Sequence, residues 1–414
     1  MNRRAFLSTG AAGLGLLAGC AGDGGSDRRT RSETATQTRT ERPTATDTPT
    51  RTPRENPDTI FVDSEEGSTG APGTADEPMG SIREALYAAR PGETIQVRPG
   101  TYVERLETVR SGRPGKPITI TGPPDAVLKS DPDQYNVVLI RHSHIHVTGL
   151  TIDGLENPDA PDEVDSYSRA QLVQARPPTS TDAYLDDLVV APHRIGNTQK
   201  SLVSLERTQN AVVGPFRMTG LAGADYVVGD NEDHNGEVVY LGTAPGNLGS
   251  DWHPWEAYDE TNNVRVHHID ASEGYGHAEL VDLKPGTHHC TVEYCTSAGG
   301  GLAGDETTPT VISHNGHHNV VRWNEITDCA IGVEFDADYP EQSYANDLYG
   351  NRFADIVETA LAFEDRDRVG LGVQGRVCGN IVTDAAETAL TADCHDAVPR
   401  GDGVGHTGGT GPWG

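Results

Sequence analysis

Asn324-Glu325-Ile326-Thr327-Asp328, Asn351-Arg352-Phe353-Ala354-Asp355 and Asn380-Ile381-Val382-Thr383-Asp384 are three versions of one phrase, their asparagines 27 and 29 residues apart. Each runs on into small and apolar residues: Ala330-Ile331-Gly332-Val333, Thr359-Ala360-Leu361-Ala362 and Thr388-Ala389-Leu390-Thr391. One such unit cannot bury its own apolar side, whereas a stack of them can. The phrase therefore predicts coils laid on one another, with parallel strands about 4.8 Å apart. An asparagine at a fixed turn tolerates the left-handed conformation and can pair its amide with the next coil, so the repeat is read as structural.

The same rhythm extends upstream. His144–Ile152, Asn263–Ile269 and Cys290–Tyr294 read as earlier coils. Residues 155–200 and 243–260 break it and are expected to be excursions off the stack, the second carrying Trp252, His253 and Trp255. Near the start, Ser81 can cap a helix with Glu84 three residues on, and Ile82, Ala85, Leu86 and Ala89 form one apolar face. Pro91-Gly92 ends it. Thr94-Ile95-Gln96-Val97, Pro99-Gly100-Thr101-Tyr102 and Gly115-Lys116-Pro117-Ile118-Thr119-Ile120 follow.

That order of strand, helix and short strands resembles the amino-terminal cap and first coils of secreted, pectate-lyase-like proteins, many of which act on polysaccharides. The resemblance implies an all-β fold, a single-stranded right-handed parallel β-helix over residues 58–398 with an N-terminal capping helix. Abundant glycine (48) and a hydrophobic content of 35% agree with many short strands and tight turns.

Net charge is -30, and four of the 32 basic residues are lysine: Lys116, Lys129, Lys200 and Lys284. Nine arginines against six acids in residues 1–57 leave -33 on the remainder. Such a surface repels itself unless salt screens it, as expected of a haloarchaeal protein. It offers no basic stripe for nucleic acid.

Asn2-Arg3-Arg4-Ala5-Phe6-Leu7 resembles a twin-arginine export signal, and Leu17-Ala18-Gly19-Cys20 resembles a lipobox. Together they imply export, lipidation of Cys20 and anchoring to the outer face of the cytoplasmic membrane through that lipid alone. Residues 21–57, rich in Thr, Arg, Pro and Ser, lack apolar periodicity and read as a disordered tether. Residues 399–414 read as a flexible Gly-rich tail. A monomer is expected. Beyond Cys20, five cysteines remain, an odd number. They read as buried small hydrophobes, with a Cys378–Cys394 disulfide left open.

Nine of sixteen histidines lie between His253 and His318, beside Glu273, Glu279, Asp282, Asp305 and Glu306. His142, His144 and His146 alternate along another strand, where a solvated face is the plain reading. Ala278-Glu279-Leu280-Val281-Asp282-Leu283-Lys284 resembles the metal-and-base strand of calcium-dependent, chondroitinase-B-like lyases. The resemblance makes Glu279 a calcium ligand and Lys284 the proton acceptor. Where that family has a second metal carboxylate this chain has His277, and where it has an arginine on the next coil this chain offers His314.

Removing the proton beside a uronate carboxylate requires a base and a stabiliser for the enolate-like charge. The expected site is Lys284, His314 and Asp282 for catalysis, Glu279, Asp305 and Glu306 for Ca2+, and Trp252, Trp255 and His277 for the sugar chain. A glycoside hydrolase would instead need two carboxylates at a set separation, which Asp282, Asp305 and Glu306 could supply. Two other classes stay open: a non-enzymatic glycan-binding scaffold, and an extracytoplasmic accessory protein for metal-enzyme maturation that uses the histidines.

Overall fold

The computed structural model describes residues 58–132, 134–229, 236–273, 278–298 and 310–387. The chain winds as a right-handed parallel β-helix. Among the described residues its first face stacks eleven parallel strands, from Thr59–Val62 through Thr94–Val97, Ile118–Thr121, Ile145–Thr148 and Thr291–Glu293 to Val377–Cys378. A second face carries strands such as Gly100–Val103, Ala126–Lys129 and Phe216–Met218. A third carries Val138–Ile140, Val173–Ala175, Val203–Leu205, Val239–Leu241, Val281–Leu283 and Thr310–His314. From Glu325 onward one long strand per coil, Glu325–Phe335 and then Arg352–Phe363, serves both later faces.

The first face alternates as a half-buried strand should: Ile95, Val97, Ile118, Ile120, Ile145 and Val147 point inward and are fully buried. Their neighbours in register are the same residue types one coil away, as in Ile118 on Ile145 and Ile120 on Val147. The capping helix is Ile82–Ala88, and Ser81 Oγ accepts from Glu84 N at 3.2 Å. Glu84 does not return the bond; its carboxylate takes Gly70 N at 2.7 Å. Glu104, from the following coil, accepts from Ile82 N, Arg83 N and Ser81 Oγ instead. A carboxylate at a helix N-terminus meets its orphan N–H groups and dipole.

The asparagines form the expected ladder. Asn324 Nδ2 donates to Asn351 Oδ1 and Asn351 Nδ2 to Asn380 Oδ1, each at 3.0 Å. They are not the left-handed residues, however. That strain falls one position earlier, on Trp323, Gly350 and Gly379. At Gly350 a Cβ would stand 2.7 Å from the Trp323 ring, so glycine lets that ring lie across the turn. A second ladder, Asn319 N to Asn346 Oδ1 at 2.9 Å, serves the neighbouring corner.

The excursions are narrower than expected. Residues 155–172 leave the stack, but Val173–Ala175, Leu188–Ala191 and Arg194–Gly196 are ordinary coil strands. Three or four apolar residues are too few to show a period. Residues 242–264 do form a long excursion. Cys290, Cys295 and Cys329 are free and buried, and Cys378 is disulfide-bonded. Cys20, the 21–57 tether, Cys394 and the 399–414 tail lie outside the described residues.

Asn351 is fully buried and its amide meets both neighbouring coils. Asn351→Ala strands Asn324 N and should cost about 3 kcal/mol by denaturant unfolding in one fixed salt. A loss under about 0.5 kcal/mol would show that the ladder is decorative.

Candidate active site

The third face does not alternate. Val138–Ile140, Val173–Ala175, Val203–Leu205 and Val281–Leu283 are buried at every position. Their inward side chains meet the core. Their outward ones, such as Leu139, Gln174 and Ser204, are buried as well. Register aligns the outward column Leu139, Gln174, Ser204, Tyr240, Asp282, Ser313 and Glu334.

The residue just past each strand extends the ladder, because each backbone N–H still bonds the coil before, that of Arg141 through Thr108 Oγ1 and the others through a carbonyl. That edge reads Arg141, Arg176, Glu206, Gly242, Lys284, Asn315. The sequence carried this signal as Val-Leu-Ile-Arg, Val-Gln-Ala-Arg, Val-Ser-Leu-Glu, Val-Tyr-Leu-Gly, Val-Asp-Leu-Lys and Ile-Ser-His-Asn. Loops of unequal length between the phrases hide the repeat. Gly242 matters within it: a Cβ there would press to 2.7 Å from Thr287 and 3.3 Å from Lys284.

A groove of about 550 Å³ runs over this grid. Arg105, Arg141 and Arg176 line one end, Glu206 and Tyr240 the middle, and Trp252 and His253 one wall. The wall belongs to the 242–264 excursion. Its two ends are tied by Asp259, which accepts from Thr243 Oγ1 and Thr261 Oγ1 at 2.8 Å and from Arg207 N at 2.9 Å. Trp252 is 66% exposed, open to a ligand, whereas Trp255 is buried. Trp255 donates Nε1 to Thr181 O at 3.2 Å under the Arg207 guanidinium, so it pins the loop and does not face the groove.

Lys284 Nζ contacts Asp282 Oδ2 and lies 5.1 Å from the centre of the Tyr240 ring. Glu237, one coil back, and Glu279 join Asp282, their carboxylate oxygens all within 4.8 Å of one another. Burial alone would push Lys284 down, but Asp282, then Tyr240, Glu279 and Glu237 hold it well above the usual lysine range. Burial, then Asp282 and Glu237, push Glu279 well above the usual carboxylate range. Asp282 Oδ1 is buried with no hydrogen-bond partner.

His314 does not join this cluster. It takes the inward place that Leu241 and Leu283 hold on earlier coils, and stacks 5.2 Å from Phe335. Fully buried, with neither ring nitrogen hydrogen-bonded, it is pushed down to about 3 by burial. It is a neutral core ring. His277, Asp305 and Glu306 lie outside the described residues. His144 and His146 both reach Asp187, at 2.9 and 3.2 Å, while His142 meets Thr108 at 2.9 Å.

Glu206 was missed by the sequence reading. Gln174 Nε2 donates to its Oε1 at 2.9 Å; His253 Nε2 stands 3.2 Å and Arg176 3.8 Å from Oε2. Burial pushes its carboxyl up to about 7, against the pull of Arg176 and Gln174. Burial, then Arg176, pushes His253 down to about 4.

No family model matches the chain. It is 34% identical over 106 residues to the uncharacterized protein YwoF of Bacillus subtilis (strain 168), covering 24% of this chain and 22% of that protein. Among solved structures it resembles an alginate lyase from Paenibacillus sp. str. FPU-7, with a TM-score of 0.54 and 16% identity over 74% of this chain and 96% of that one. Pectate lyase Pel9A gives 0.53 and 14%, over 83% and 79%. These likenesses show the fold, a pectate-lyase-like parallel β-helix.

The folded chain keeps a proton on Glu206 up to about pH 7, the unfolded chain only to about 4.5. Between those values the native state binds more protons, so this residue's share of stability falls as pH rises. Glu206→Gln should therefore stabilise the protein at pH 8, by on the order of 2 kcal/mol, and give little change at pH 4.5. Thermal unfolding of both forms across that range checks it.

Proposed function

We propose that the chain is a carbohydrate-active enzyme, a polysaccharide lyase that acts by β-elimination on uronic-acid-containing glycans in the third-face groove. The observation that carries the reading is the Lys284–Asp282–Tyr240 cluster, whose Tyr240 lines the groove together with Arg141 and Arg176. Arginine forks suit sugar carboxylates. They also give an acidic protein a local landing place for an acidic polymer, although Glu107 already pairs with Arg105 and Arg141 at 3.0 and 3.1 Å. Exposed Trp252 offers a ring face for stacking.

At rest Lys284 is a cation, which stabilises charge developing on a substrate carboxylate. Its role as proton acceptor requires that the negative charge around it be cancelled. Glu237, Glu279 and Asp282 form a hard oxygen donor set that fits calcium, and the unsatisfied Asp282 Oδ1 is a donor without a task. Bound there, a calcium ion would cancel the charge that keeps Lys284 protonated and would draw the substrate carboxylate. Tyr240, kept protonated by burial, stands beside Lys284 to return a proton to the departing sugar oxygen. The motif ending at Cys20 supports export and lipid anchoring of this activity.

Glu206 favours a second reading. A carboxyl that holds its proton near neutrality suits the general acid of a glycoside hydrolase.

The test uses polyuronates in molar salt, with and without a calcium chelator. The lyase reading expects new ultraviolet absorbance from an unsaturated sugar, loss on chelation, and a fall of at least about 100-fold in Lys284→Ala. Cleavage with new reducing ends but no absorbance, lost in Glu206→Gln and kept in Lys284→Ala, would replace it with the hydrolase. Binding without any cleavage would leave a glycan-binding scaffold.

A further inference from the structure

His288-His289 and His317-His318 lie 29 residues apart and occupy the same turn of adjacent coils. His289 and His318 are left-handed, with φ of 55° and 54°. That backbone turns each adjacent pair of rings edge to face, at 86° and 84°, and brings Nδ1 to Nδ1 at 2.8 and 3.0 Å. Stacking repeats the arrangement along the helix axis: His288 lies 5.2 Å from His317 at 10°, and His289 lies 5.3 Å from His318 at 7°. Tyr344 closes the column on His317 at 4.8 Å. His289 and His318 are exposed, and His317 borders a separate groove of about 810 Å³ with Glu256 and Glu260.

Two imidazole nitrogens bound cis to one ion at about 2.0–2.1 Å are about 2.9 Å apart in a square arrangement and about 3.3 Å in a tetrahedral one. The observed separations are those of a hydrogen bond, and they are short enough for both nitrogens of a pair to reach one ion once the proton between them is lost; among divalent ions imidazole sites bind copper(II) most tightly. In the ligand-free protein one ring of each pair must hold the single proton lying between the two nitrogens.

We propose that His288, His289, His317 and His318 form a copper(II) site that spans two coils, distinct from the carboxylate cluster of the third face. One ion is expected, since two dications a strand spacing apart would repel. The two pairs stand 5.2 and 5.3 Å apart across the coils, so binding draws the exposed His289 and His318 rings toward the ion, and the protons shared within the pairs are released. His267 and His268 repeat the nitrogen contact at 2.9 Å on another corner, but the next coil there presents Glu293 and Tyr294, so that pair has no twin. It serves as the internal control.

The test is titration of the full chain with copper(II) by equilibrium dialysis, with electron paramagnetic resonance of the complex. One tightly held ion per chain is expected, with hyperfine structure from three or four nitrogens and a rise in free protons on binding. Affinity should fall at least about tenfold in the double variant H289N/H318N and stay within twofold in H268N. Asparagine is chosen because it tolerates the left-handed backbone. Absence of retained copper, an all-oxygen spectrum, or equal affinity in wild type and double variant would overturn the site. The wild-type spectrum decides the matter even if the double variant does not fold.

Discussion

Everything in this structure depends on one constraint: each coil must lie in register on the one before. The backbone bonds of a parallel ladder provide the attraction, but they are blind to which residue sits over which. Register comes from side chains. Inward isoleucines and valines must repeat to fill a column, and a slip of one residue would turn a whole strand inside out. The buried asparagines sharpen this further. Each side-chain amide accepts from and donates to the backbone of the coil before it, and those of Asn324 and Asn351 also donate to the next asparagine, so a displaced coil would leave several polar groups buried and unpaired.

The groove is a consequence of that register rather than a separate invention. Arg141, Arg176, Glu206 and Lys284 are scattered over 144 residues, yet they form one row because each closes a strand of the third face. The row changes sign along its length, from arginines through Glu206 to Lys284 with its carboxylates. Burial then sets the protonation. Burial raises the Glu206 carboxyl to about 7, while Lys284 is charged because its partners outweigh its desolvation. Glu206 lines the groove itself, and Lys284 adjoins it through Tyr240, whose ring centre is 5.1 Å from Nζ.

The fold was legible because its signals are local and repeated: the asparagine phrase, the Ser81 cap, and the Ile/Val alternation of the first face. The site was legible only in part. Glu279, Asp282 and Lys284 lie on or just beside the strand Val281–Leu283, so short-range sequence brought them together. Glu237, Glu206 and Tyr240 come from other coils, separated by loops of unequal length, and the four-residue phrase that carries Glu206 and Tyr240 was too short to stand out. His314 misled because histidine reads as chemistry, whereas its position in that phrase is an inward one that a flat ring can fill against Phe335. Trp255 likewise reads as a sugar platform and is an anchor for the loop. The asparagines were placed correctly in the ladder but given the wrong backbone, since the strain of each turn falls on the preceding residue.

The most direct test of the register is a pair of cysteines on neighbouring coils of the third face. Gln174 and Ser204 are partners in the ladder, and adjacent strands bring such Cα atoms within disulfide range, at about 4.8 Å. Gln174→Cys with Ser204→Cys should crosslink on mild oxidation, seen as the loss of two thiols within one chain. Gln174→Cys with Leu205→Cys, whose side chains face opposite sides of the sheet, should not. The reverse pattern would contradict the stacking from which the groove is built.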